Sequence, residues 1–186
     1  MRFSRIFFLP LVVVAAAACN DNLGPTAWSD LPDTVTLYSA SRANLLGKPS
    51  GFDFTAPRAV VVESASETQS FDMMLTDQGG TFSLLPSGVV LGSANRAGLA
   101  RVTADSLHAI RQAPTDTAAF VQTAPVPVHV GDFFVARSRR VSCVLTTGSY
   151  YSKLQIIAVN PDSGTMKMAF ARNPYCGDTS LVPPGS

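Results

Sequence analysis

From residue 34 onward, apolar and polar positions follow the period of two that an extended strand imposes. Thr34 to Ser39 (TVTLYS) alternates, Arg58 to Glu63 is the β-branched run RAVVVE, and Ser70 to Thr76 (SFDMMLT) gives a third strand. Gly79 and Gly80 predict a turn into Thr81 to Leu85, and Pro86 to Gly88 a turn into Val89 to Leu91. Ala94 to Ala104 is weakly patterned and reads as a loop. Thr103 to Arg111 (TADSLHAIR) is the one passage that predicts a short helix, with Thr103 as N-cap and Leu107 and Ile110 on one face. Further strands are expected at Val126 to Val130, Phe133 to Ser138, Val141 to Thr146, Lys153 to Val159 and Thr165 to Ala171. The last two form a hairpin through the turn formers Asn160 to Gly164, and Met166, Met168 and Phe170 should meet Leu154, Ile156 and Ala158. About ten short strands with turns at this spacing predict an all-β antiparallel sandwich or barrel-like domain, with at most one short helix.

The start of the chain departs from this pattern. Arg2 and Arg5 precede the apolar run Ile6 to Ala18, which is 13 residues long and contains Pro10. That run is short of the roughly 20 residues a membrane-spanning helix needs, and it fits a secretory signal. Ala16, Ala17 and Ala18 precede Cys19, and this resembles the lipobox of bacterial lipoproteins, although Ala16 stands where Leu is usual. The resemblance implies cleavage before Cys19 and its acylation. The alternative is ordinary cleavage after Ala-x-Ala, which leaves Cys19 free. Asn20 follows the cysteine, where Asp would favour inner-membrane retention, so the resemblance implies an outer-membrane address. Residues 1–18 are thus read as signal, 19–32 as a flexible lipid-anchored tether rich in turn formers, and 33–186 as a single β domain.

Export makes disulfides stable, and Cys143 and Cys176 are the two cysteines other than Cys19. A bridge between them is the expected role, because no Cys-x-x-Cys occurs and both histidines are distant in sequence. Their strands should bring them together at a sheet edge.

Composition and charge remove several functions. Removing 18 residues leaves 168 of 186, and removing Arg2 and Arg5 leaves 12 basic against 13 acidic residues. So neutral a domain carries no electrostatic footprint for nucleic acid. At 46% hydrophobic and 15% charged, it has material for a core and is not a disordered tail. No nucleophile elbow, phosphate-binding loop, zinc-protease helix or dinucleotide glycine pattern is present, so a non-enzymatic role is expected, with a hydrolase of unfamiliar type as the distant alternative. Such a hydrolase would need a deep pocket holding a titratable group of strongly shifted pKa.

Individual charged residues add little. Asp30 with Asp33, and Glu63 with Glu67, read as solvated loop pairs. Asn160 to Gly164 lacks the ligand set of a calcium loop. Arg137, Arg139 and Arg140 read as a solvated edge strand or loop, and the paired methionines at residues 73–74 and at 166 and 168 as core filler.

Three segments share an order with a known group. Asp132 to Arg137 (DFFVAR), Tyr150 to Ile156 (YYSKLQI) and Thr165 to Phe170 (TMKMAF) resemble the successive strands of the HmuY-like haem-binding lipoproteins of bacterial envelopes. Phe71 to Leu75 (FDMML) is similar to that family's Trp-Asp strand, with Phe in place of Trp. The resemblance lies mainly in residues 131–171, and it implies an all-β fold tethered by lipid. The resemblance also implies a haem-binding role as the alternative function, with haem as cofactor and the two histidines, His108 and His129, as the candidate ligands. The partners expected are the membrane, through Cys19, and a small molecule or an envelope protein, with the domain a monomer.

Overall fold

The alternating segments fold into two five-stranded antiparallel sheets and a two-stranded ribbon, in a computed structural model that describes residues 28–92, 97–144 and 146–185. The first half of the chain supplies β1 (Asp33–Tyr38), β2 (Gly51–Asp53), β3 (Arg58–Val60), β4 (Met73–Gln78), β5 (Thr81–Pro86) and β6 (Gly98–Val102). The second half supplies β7 (Val126–Pro127), β8 (Phe133–Arg137), β9 (Val141–Ser142), β10 (Thr147–Gly148), β11 (Tyr151–Asn160) and β12 (Thr165–Arg172). One five-stranded sheet, sheet A, runs β1-β12-β11-β8-β6, and the other, sheet B, runs β3-β2-β4-β5-β7. The fold is therefore all-β, and among the described residues no helix is long and apolar enough to cross a membrane.

The inner faces of the sheets enclose one core. Leu37, Leu99, Phe134, Leu154, Ile156 and Met168 from sheet A meet Phe52, Met73, Leu75, Phe82 and Leu84 from sheet B, all almost fully buried. Each such side chain contributes about 1.5 to 3 kcal/mol on leaving water. A second apolar cluster occupies the other face of sheet A. Val135 and Ala169 are covered there by Leu107, Ile110, Ala113, Phe120 and Leu181. The cover is irregular chain, residues 103–122 and 173–185, joined by Ala113 N to Thr179 O at 2.8 Å and Leu181 N to Arg111 O at 2.8 Å. Sheet A is thus the middle of three layers, which buries β8 and the first half of β11 on both faces.

The β11–β12 hairpin forms with Leu154 opposite Phe170 and Ile156 opposite Met168. A bulge at Ile157 then shifts the register, so Val159 rather than Ala158 faces Met166, and Ala158 is exposed. Other expectations need correction. Residues 98–102, expected to be loop, pair as β6 with β8, from Gly98 opposite Arg137 to Val102 opposite Phe133. Gly98 and Ala100 give little strand signal, and the pairing is decided by the neighbouring strand. Val89 to Leu91 belongs to the short helix α1 (Ser87–Leu91), which Gly92 ends in the left-handed conformation (φ 68°) with its N–H on Gly88 O. Thr103 to Arg111 holds only a 3₁₀ turn, Leu107–Ala109, capped by the Ser106 hydroxyl rather than by Thr103. Val141 to Thr146 is not one strand but the start of a small ribbon, β9 with β10.

Candidate functional site

The N-terminal segment reaches the domain before β1 begins. Trp28 packs edge-on against Tyr175, ring centroids 6.0 Å apart. Asp30 places one carboxylate oxygen 2.5 Å from Lys153 Nζ and the other 2.8 Å from His108 Nδ1. Lys153 is 1% exposed, on the outer face of β11 beneath the irregular layer, and its ammonium also donates to Ile110 O at 3.4 Å. Burial pushes the Asp30 carboxyl up, but hydrogen bonds from Lys153 and His108 outweigh it and hold the group below the ordinary carboxylate range. Two expectations change. Asp30 and Asp33 are not a solvated pair, because Asp30 neutralises a buried lysine that would otherwise be uncompensated. Residues 28–32, expected to belong to the tether, lie against the domain as an arm. Cys19 and the signal segment lie outside the described residues.

Beneath the arm is a cleft of about 290 Å³, walled by Trp28, Leu31 and Asp33 on one side and by Pro57, Phe170, Arg172 and Pro174 on the other. Arg172 stacks over the Tyr150 ring at 4.7 Å, and its Nη1 donates to Thr55 O at 2.6 Å. Burial lowers its pKa, partly offset by Tyr150 and Asp53. Among the described residues no carboxylate lies within ion-pair distance of Arg172. The cleft thus combines apolar side chains and the Asp33 carboxylate with a charged donor whose direct partners are neutral.

Beside it an ion cluster joins the two sheets. Arg139, following β8, donates from Nη1 to Asp53 Oδ1 at 3.1 Å and to Asp72 Oδ1 at 3.2 Å, and from Nη2 to Asp53 Oδ2 at 3.2 Å. Its backbone N–H also donates to Asp72 Oδ1 at 2.7 Å, and Phe54 N–H donates to Asp72 Oδ2 at 2.7 Å. Both aspartates are almost fully buried. Burial pushes Asp72 up despite Arg139, whereas hydrogen bonds from Arg139 and Thr55 overcome burial at Asp53 and hold it down. A carboxyl with a raised pKa is what a hydrolase would require, but both Asp72 oxygens are engaged by protein donors. Neither aspartate lines the arm cleft or the cavities that contain His129 or Ile110. The arrangement is chemically that of an inter-sheet staple.

The other sequence candidates find these places. Arg137 is buried, its guanidinium 4.8 Å from the Phe120 ring, and β8 lies inside sheet A between β11 and β6. Of the expected solvated arginines, Arg140 alone is exposed. Glu67 accepts from Arg58 and from Val61 N–H, and Glu63 is exposed. In the β11–β12 turn, the Pro161 and Asp162 carbonyls accept from Arg42, whose Nε also donates to Asp77 at 2.7 Å. A guanidinium therefore occupies the oxygens that a cation would need.

The histidines do not converge. His108 sits in the layer over sheet A with Asp30, whereas His129 follows β7 at the rim of the sandwich, its Nδ1 3.6 Å from Asp132. His129 lines a cavity of about 310 Å³ with Phe82, Val128, Val130 and Val159, and that cavity does not include His108. Two imidazoles so placed do not fit axial ligation of one haem iron, which needs both to face the same metal.

Cys143 and Cys176 form a disulfide with Cα atoms 6.3 Å apart. The bridge closes the β9–β10 ribbon onto the segment after β12, and Gly148 leaves it room: a Cβ there would lie 2.7 Å from Cys176 Sγ. Sequence reasoning missed Asp53, Asp72, Lys153 and Arg172, and it read Arg139 as solvated where it pairs with two buried aspartates. The available signal was a charged residue at a strand position with apolar neighbours, as in SKLQI and FDMML. Comparison of the chain with family models, curated proteins and solved structures finds no match in any of the three.

Proposed function

We propose that this chain is a lipid-anchored protein of the bacterial cell envelope, on the outer membrane where the cell has one, whose β domain binds a ligand or envelope partner without catalysing a reaction. The observation that carries this reading is the arm. The segment that follows the expected anchor at Cys19 is fixed to the domain through Asp30 and Lys153, and it also walls the cleft that holds Arg172. Ligand site and attachment to the membrane are then neighbours. The cleft suits a small molecule with an apolar body against Trp28 and Phe170 and an acceptor group for Arg172.

Trp28 is the single tryptophan of the chain, so its emission reports on the cleft directly. Titrating the purified protein with a panel of small aromatic and aliphatic carboxylates and amides should give saturable changes in Trp28 emission that Arg172→Gln weakens. A panel without effect, or binding indifferent to Arg172→Gln, overturns the cleft assignment and leaves an envelope scaffold as the role. Haem in the same panel should give no Soret shift that depends on His108 and His129.

A further inference from the structure

The arm leaves the domain at Trp28, and this fixes which end of the sandwich lies nearest an anchor. Trp28 lies nine positions after Cys19, a reach of at most about 30 Å even fully extended. Trp28 rests on Tyr175; the next residue, Cys176, is bridged to Cys143; and the residue after Cys143 is Val144 at the tip of the β9–β10 ribbon. Val144 is 98% exposed. A lone exposed valine is ordinary on a surface, but this one directly follows Cys143, and the bridge to Cys176 ties it to the residue after Tyr175, on which the arm rests.

The chemistry at this end suits a lipid–water boundary. Trp and Tyr prefer that boundary because a ring and a polar tip each find their medium. Arg140, exposed on the same ribbon with Nη2 3.4 Å from Thr147 O, is a cation suited to anionic headgroups. The acidic residues near the arm have partners: Asp178 accepts from Ser180 N–H at 2.9 Å, Asp33 from Thr34 N–H at 2.7 Å, and Asp30 pairs with Lys153 and His108.

We propose that the tip of the β9–β10 ribbon is a membrane-contacting element, and that Val144 enters the surface of the bilayer that carries the anchor. This rests on the lipid-anchored reading above. The tip then acts as a second, weak contact that limits the tilt of the domain, so that the arm and its cleft take a defined height above the lipid.

The test uses the acylated protein isolated from membranes and reconstituted into vesicles of phosphatidylethanolamine and phosphatidylglycerol, with and without bromine on the acyl chains. In a Trp28→Phe/Val144→Trp variant the one tryptophan is at the tip, and brominated lipid should quench its emission. In a second variant, Trp28→Phe/Ser142→Trp, the reporter is two residues back from the tip, and adding Val144→Asp should abolish the quenching there without changing the thermal midpoint. Protein that sediments with the vesicles but shows an unquenched tip overturns membrane contact and leaves the anchor standing. Protein that lacks the acyl mass and stays in the supernatant overturns the anchor, and membrane contact with it.

Discussion

Replacing Asp30 by alanine removes the carboxylate paired with Lys153, whose ammonium lies under the irregular layer on sheet A. What remains for that ammonium is the Ile110 carbonyl at 3.4 Å. Breaking a buried pair from one side costs about 3 to 5 kcal/mol, and the lower end applies because the Asp30 side chain is 22% exposed and water can follow its removal. A loss of about 3 kcal/mol corresponds to a fall in thermal midpoint of roughly 6 to 12 °C for a domain of this size. Lys153→Met should suppress the defect: it fills the same aliphatic space beside Val135 and Ile110 with no charge to compensate, so the double variant should lie within about 1 kcal/mol of the parent. Trp28 emission gives a second readout, since release of Asp30 frees the arm and shifts the emission to the red. The pH dependence has a definite sign. A carboxyl whose folded pKa is depressed contributes its stability above its ordinary pKa and loses it as pH falls through the folded value, so the arm stays docked near neutrality and releases in strong acid. An Asp30→Ala protein with an unchanged midpoint and unchanged emission would refute this account of the arm.

Three other outcomes are expected. Asp72 has a raised pKa, so its folded form binds a proton more tightly and its contribution weakens as pH rises; the stability of the parent relative to Asp72→Asn should therefore fall as pH rises from the ordinary carboxylate pKa toward the raised folded value, and a constant difference in urea titrations would contradict it. Reducing the Cys143–Cys176 bridge, which spans 33 positions, should cost on the order of 3 to 4 kcal/mol in denaturant midpoint, and alkylation before reduction should label neither cysteine. Gly148→Ala should cost about 1 to 3 kcal/mol by crowding the sulfurs, and most of that loss should vanish when Cys143 and Cys176 are both alanine.

The two-sheet part of the fold was legible because alternation reports one buried face. TMKMAFA and KLQIIAV identify the central hairpin and its inward residues. The bulge at Ile157 was not legible, since one inserted residue inside an apolar run leaves no polar marker of the slip. Lys153 and Arg137 look like solvent-facing positions of alternating strands. They are buried by residues 103–122 and 173–185, which have no period of their own and are placed by long-range contacts. The ion cluster was hidden for a related reason: Asp53, Asp72 and Arg139 are up to 86 positions apart, and each alone reads as a turn or surface residue. The disulfide was legible because an expected export signal and an even cysteine remainder leave few alternatives.

The central claim is that the arm described here begins at a lipid anchor. Mass analysis of the mature protein extracted from cell membranes tests it most directly. The account predicts a chain that begins at Cys19 and carries two or three acyl chains on that residue, recovered with the envelope. A chain of unmodified mass cut after Ala-x-Ala, recovered in the soluble fraction, would contradict it.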